Sequence, residues 1–140
     1  MDLSESTRPF VQLREIVERI QKAINAGEAG GVEAIVVDPF TTLAQREFEL
    51  VLSGPVVDED PDGGVSEGYA GRERELGNRC VRLLNQMIAT RLDVVLIGHE
   101  RPPRLFEGNF TPGGPAFRGR QAAEGLRRPL DLMLRCKWGA

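Results

Sequence analysis

Two apolar runs in this chain each end on residues equipped for chemistry. Ile35, Val36 and Val37 lead into Asp38, with Pro39, Phe40, Thr41 and Thr42 directly behind, while Val94, Val95, Leu96 and Ile97 lead into Gly98, His99 and Glu100. Short β-branched runs of this kind read as buried parallel strands, and α/β proteins hold metal ions and phosphates at the C-terminal ends of such strands. A carboxylate there is a candidate holder of a hydrated divalent cation, and a histidine is a candidate partner for a bound polar group. The pair suggests a nucleotide-binding fold. The usual cradle for the phosphates, a glycine-rich loop of the form GxxxxGK[ST], occurs nowhere in the 140 residues.

Each of these residues also has a plainer role open to it. Asp38 stands before a proline at an expected helix start, where an aspartate caps the helix, and His99 can be satisfied by backbone at a strand end. Asp58, Asp60 and Asp62 alternate ahead of Gly63 like a calcium loop, but Pro61 interrupts them and Glu67 falls short of the bidentate position. Cys80 falls on the apolar stripe of an expected helix and Cys136 in an expected strand, far from zinc-site spacing; buried, reduced thiols are the simpler reading.

The elements that would position these groups follow from spacing. Ser6 or Thr7 can cap a helix with Pro9 in its first turn; Phe10, Leu13, Ile16, Val17 and Ile20 recur at helical intervals until Gly27 stops it. A strand is expected over 33–38, then a helix from Thr41 or Thr42 carrying Leu43, Phe48, Val51 and Leu52. Residues 53–70 are too acidic and too broken by glycine and proline to build core, and read as a flexible loop. A long helix is expected over 71–90, the second strand over 93–97, a Pro/Gly/Arg-rich loop over 101–120, a short helix near 121–127 and a last strand over 130–138. Loops as long as 101–120 usually have a function.

One domain is the default for this length. No segment approaches the roughly 20 apolar residues of a membrane span, and the first residues lack the basic and apolar stretches of a secretion signal, so a cytoplasmic protein is expected. The net charge of −3 hides an asymmetry: residues 1–70 carry 5 basic and 14 acidic side chains, residues 71–140 carry 13 and 7. The second half is therefore the candidate anion-binding half.

Taken in order, the strand ending in Asp38, the long helix, the strand ending in Gly98-His99-Glu100, the basic loop and the final strand resemble a RecA-like P-loop ATPase core. The resemblance is narrowest to the phage-encoded, AAA-type RecA-like nucleotide-binding proteins of single-strand annealing and recombination. Ile35 to Leu43 matches their Walker B strand, with Pro39 in place of the usual serine; Leu96 to Glu100 matches their sensor strand; Pro115 to Arg120, with Asp131 to Arg135, echoes a later motif. The resemblance implies an α/β fold with a mainly parallel sheet flanked by helices, the N-terminal P-loop unit missing, in a single partial domain over 1–140. It implies that Asp38 holds Mg2+ through a coordinated water, with support from Thr41 or Thr42, that His99 senses the γ-phosphate of ATP, and that Glu100 orients water or pairs with an arginine. ATP and Mg2+ binding would both depend on a P-loop from elsewhere, supplied by a homo-oligomer or by a protein partner completing the site. In a phage the compartment would be the host cytoplasm.

In RecA-like recombinases the loop after the sensor strand faces DNA. Here Arg101, Arg104, Arg118 and Arg120 could meet phosphates while Phe106, Phe110 and Phe117 stack on bases, a composition suited to single-stranded DNA; the phenylalanines could equally fold under the loop as a small core. The acidic loop 53–70 would repel a DNA backbone. Two other classes remain open: a non-catalytic α/β interaction module of a recombination or replication assembly, which the missing phosphate loop favours, and a magnesium-dependent nuclease using Asp38 and Glu100, which lacks supporting carboxylates.

Overall fold

Pro9 fixes the backbone at the start of the first helix, and Phe10, Leu13 and Val17 follow on one stripe; they form α1, Pro9–Asn25, with that stripe buried. The computed structural model describes residues 2–3, 5–54, 69–111, 113–117 and 125–134. Contrary to expectation, neither Ser6 nor Thr7 caps α1: Arg8 holds the N-cap position without a side-chain hydrogen bond. The Ser6 hydroxyl instead accepts from the Arg8 N–H at 3.1 Å and donates to Gln12 Oε1. Proline at the helix start, with no N–H to satisfy, lessens the need for a cap. Gly27 ends the helix in left-handed conformation (φ 72°), its N–H donating to Ile24 O and that of Glu28 to Ala23 O, the two bonds of a Schellman motif.

The chain then forms β1, Ala34–Val37, and α2, Phe40–Ser53. The Arg72 guanidinium donates to the carbonyls of Val51, Leu52 and Gly54 at 2.5–3.2 Å, satisfying oxygens that the end of α2 leaves without helical partners. Arg72 belongs to α3, Tyr69–Ala89, so the helix-closing contact also ties α2 to α3. Of the expected acidic loop 53–70, Ser53, Tyr69 and Ala70 are helical, and 55–68 lie outside the described residues. Arg91, at φ 63°, turns the chain out of α3 into β2, Asp93–Leu96.

β1 and β2 pair in parallel, with Ala34 opposite Asp93 and Val37 opposite Leu96. Ile35 and Val37 point into a core built from Phe10, Val17, Phe40, Phe48, Leu76 and Leu84 of the three helices, while Val94 and Leu96 pack at its border. Strand alternation sends Val36, Val95 and Ile97 the other way, where they remain 57%, 44% and 44% exposed. Among the described residues, helices cover a single side of the pair, so the strands expected to be buried are buried on one face.

Beyond β2 the expected irregular loop is largely regular. β3, Glu100–Arg101, pairs antiparallel with β6, Gly114–Pro115, and between them β4, Arg104–Phe106, pairs antiparallel with β5, Asn109–Thr111. Glu107 and Gly108, at φ 48° and 77°, make the two-residue hairpin turn with both central residues left-handed, the sense that matches strand twist. Residues 125–127 form a helical turn whose Leu126 is buried. Residues 130–134 form no strand, correcting that part of the expected last strand, and 135–138 lie outside the described residues together with Cys136. Among the described residues, no helix is long and apolar enough to cross a membrane.

Candidate functional site

The parallel register brings the two candidate strand ends side by side. Past the last paired residues, Ile97 donates its N–H to Val37 O at 2.9 Å and accepts from the Phe40 N–H at 2.7 Å, so Asp38 and Pro39 are spanned by the neighbouring strand. The next tie comes from a side chain: the His99 N–H donates to Thr41 Oγ1 at 3.0 Å. Thr41 is only 4% exposed, and its methyl carbon lies 2.8 Å from where a Cβ on residue 98 would stand, so Gly98 is required for this close approach of strand end to helix. Asp38, His99 and Glu100 are exposed at this edge.

Asp38 does not cap α2. The N-cap position is Pro39, without a side-chain hydrogen bond, so the carboxylate is not consumed by the helix start. Thr41, one of two threonines expected to support a metal, instead has its oxygen accepting from the His99 backbone; Thr42 is half-buried one residue further along α2. Among the described residues no three His, Cys, Asp or Glu side chains converge as a metal cage. A lone strand-end carboxylate fits a hydrated Mg2+ that takes its other ligands from water and substrate phosphates, and it does not fit a metal held by protein alone.

The backbone of His99 joins three parts of the molecule. Its strand side continues β2, its N–H meets Thr41 at the start of α2, and its carbonyl accepts from the Ala116 N–H at 2.8 Å, next to β6. A displacement of residue 99 therefore reaches both α2 and the base of the hairpin segment through direct bonds.

The residues expected to face nucleic acid are divided by the hairpin. Arg104 and Phe106 share one face of it, with Asn109 opposite Phe106, whereas Phe110 lies opposite Leu105 on the other face. Phe106 and Phe110 are 72% and 68% exposed. Arg101 is half-buried in β3, and its Nε is buried without a hydrogen-bond partner among the described residues. Phe117 takes the second of its two readings, half-buried against the core: its ring meets that of Phe40 edge-on at 5.8 Å, and Phe40 stacks on Phe10 at 5.9 Å. Arg118 and Arg120 lie outside the described residues.

A second polar cluster, unsuspected from the motifs, lies between α2 and α3. Glu47 is 4% exposed and accepts from Arg79 Nη1 at 2.7 Å; Arg79 Nε donates to Glu75 at 2.9 Å, while Glu47 Oε2 is buried without a hydrogen-bond partner among the described residues. Burial disfavours the Arg79 charge, but hydrogen bonds and charge from Glu75 and Glu47 outweigh it and raise its pKa. Burial, aided by the nearby Glu47 charge, pushes the Cys80 thiol up to about 12. The signal for Glu47 was in the spacing, since it falls on the buried stripe of Leu43, Ala44, Phe48 and Val51. This cluster joins helices and lies apart from the strand ends. Comparison with known proteins found no family model, no curated protein and no solved structure that matches the chain.

Proposed function

We propose that this chain is the Walker B and sensor half of a RecA-like ATP-binding protein of phage DNA recombination or replication, working with a phosphate loop supplied from elsewhere. The observation that carries the reading is the parallel pairing of β1 with β2, which sets Asp38 beside the His99 strand end with Thr41 tying the two together. Asp38 then holds a water of Mg2+ bound to the ATP phosphates, and His99 meets the terminal phosphate. Glu100 follows at the first residue of β3, in place to orient a water. Without a phosphate cradle the chain alone should be a poor ATPase, because most of the electrostatic stabilisation in phosphoryl transfer comes from that loop and its lysine.

Coupling to DNA rests on the His99 junction. Movement of residue 99 on loss of the terminal phosphate would shift Ala116 and with it the β3–β6 base of the hairpin, whose Arg104 and Phe106 share a face suited to one phosphate and one stacked base. The test is equilibrium binding of a fluorescent ATP analogue to the full chain, with and without Mg2+ and a single-stranded oligonucleotide. Saturable, Mg2+-dependent binding that Asp38→Ala abolishes without changing the circular dichroism spectrum is the expected result. Unchanged binding in that variant removes Asp38 from the site.

One observation favours a second reading, a non-catalytic interaction module: the apolar outer face of the sheet at Val36, Val95 and Ile97. A cooperatively folded chain that binds no nucleotide, alone or mixed with a P-loop protein of the same assembly, would decide for it.

A further inference from the structure

One stripe of α3 is made of residues that a helix does not favour. Leu76, Cys80, Leu83, Leu84 and Met87 bury one side of it, while Gly77, Asn78, Val81 and Asn85 follow another side at helical spacing. Glycine and asparagine rank low in a helix interior, and Gly77, Asn78 and Asn85 are the only residues of those two types in α3 past its first turn. All three line one cleft of about 480 Å3, which Gly125, Arg128 and Pro129 line from the other side. Gly125 answers to a close approach: a Cβ there would stand 2.8 Å from Val81 Cγ2, so its bare backbone lets the 125–127 turn sit against α3. Residues that break a local preference and gather in one concavity mark a site rather than a framework.

The polar groups of the cleft are uncommitted. Asn78 and Asn85 each bring a side-chain donor and acceptor, and Arg128 a planar fork of donors; among the described residues none of these three side chains makes a hydrogen bond or ion pair. No acid lines the cleft among the described residues, so its charge suits an anion. Seven residues of helix set the two asparagines roughly 10 Å apart along the axis, a span that a free phosphate does not bridge. The occupant therefore needs length: an anionic end for Arg128, a hydrogen-bonding edge for the asparagines and a ring to lie against Val81 and Pro129. A nucleotide has all three, since guanidinium takes phosphate bidentately and carboxamides pair with base edges. The volume lies within the roughly 300–1,000 Å3 of small-molecule sites. We infer that this cleft binds a nucleotide unit, free or within a single strand, through residues that the strand-end site does not use. The inference stands whether or not Asp38 and His99 bind ATP.

Titration of the full, nitrogen-labelled chain, followed by NMR in EDTA, tests it with AMP and a single-stranded decanucleotide of mixed sequence as probes. The chelator and an Asp38→Ala background silence Mg2+-dependent binding at the strand ends, so the two readings fail separately. Saturable shifts at the amides of Gly77, Val81 and Gly125 are expected with at least one probe; AMP alone identifies a free nucleotide as the ligand, and the decanucleotide alone a unit of a strand. Asn78→Ala/Asn85→Ala removes both carboxamides and places the best helix former at two exposed positions. It should raise the melting temperature by roughly 3–6 °C while weakening binding roughly tenfold or more. Arg128→Gln should weaken binding as much and abolish the preference for AMP over adenosine. Wild-type shifts that do not saturate, or that fall away from the cleft, overturn the inference, and so does binding that survives these variants. A double variant that melts lower than the wild type overturns it too, since the asparagines would then serve the fold.

Discussion

Replacing Gly98 by alanine should test directly whether the two strand ends are held together as described. The new Cβ would stand 2.8 Å from the methyl of Thr41, where carbon–carbon contacts settle at about 3.5–4.0 Å, so Thr41 must move by roughly 1 Å. Thr41 is buried and cannot retreat freely; overpacking of this kind costs about 1–3 kcal/mol. Displacing its oxygen also weakens the hydrogen bond from the His99 N–H, another ~1 kcal/mol. Thr41→Ser removes the methyl and keeps the oxygen, at a cost of about 1 kcal/mol for one buried methyl. In that background the Cβ of Gly98→Ala meets residue 41 only at the ordinary contact distances of 3.8 and 3.9 Å, and fewer unfolded conformations should make it neutral or slightly stabilising. Urea unfolding of the four proteins, followed by circular dichroism, should therefore give a coupling of about 1–3 kcal/mol between the two substitutions. Effects that add to within about 0.5 kcal/mol would refute the claim that Gly98 is glycine because of Thr41.

Three further predictions concern the frame around the site. Arg79→Met should destabilise the fold by roughly 2–4 kcal/mol because it strands the buried Glu47 carboxylate, whereas Glu47→Met, which leaves Arg79 on Glu75 and near solvent, should cost under about 1 kcal/mol; equal denaturation midpoints for the two would contradict this. Cys80 should resist alkylation in the native chain. Its thiol stays protonated up to about 12 when folded but ionises near its ordinary value of 9.0 when unfolded, so its contribution is full below pH 9 and lost at up to about 1.4 kcal/mol per pH unit as pH rises towards 12. Cys80→Ala should flatten the stability profile in that window, and an unchanged slope would count against burial of the thiol. Arg91→Gly should raise stability by about 0.5–1 kcal/mol, because φ 63° strains a residue with a Cβ, and a lower midpoint would show that the Arg91 side chain matters more than its backbone.

What could be read from the sequence was the part that depends on local pattern. Short unbroken runs of β-branched residues mark β1 and β2, period 3.6 marks the helices, and an acid and a histidine at the strand ends are legible because strand ends show the change from apolar to polar residues. Pattern could not say which faces find partners. Val36 and Val95 are as apolar as Val37 and Val94, and only the assembled molecule separates an exposed face from a covered one. For the same reason composition leaves base stacking and core packing equally open for Phe106, Phe110 and Phe117, and only the fold sets the Phe117 ring against Phe40 while the other two stay exposed. The hairpin was missed because its turn, Glu107-Gly108, lacks the Asn-Gly or Asp-Gly signature, and one glycine among many in that segment gave no register. The tie from Thr41 to His99 joins residues 58 positions apart and leaves no local trace.

The proposed ATP site is one half of a site, and that has a thermodynamic consequence. Asp38 and His99 stand exposed at the strand ends, while no GxxxxGK[ST] loop occurs in the sequence, so on the proposed reading the phosphate ligands come from a neighbour. If a second copy supplies them, nucleotide binding and self-association must strengthen each other by the same factor, and affinity for the ATP analogue with Mg2+ grows with protein concentration. If a different protein supplies them, the nucleotide leaves self-association unmoved and affinity rises only when that protein is added. Sedimentation of the wild type with and without Mg2+ and the ATP analogue distinguishes these cases by direction alone. Self-association that weakens on adding the nucleotide, in a chain that demonstrably binds it, would contradict a site completed by a second copy.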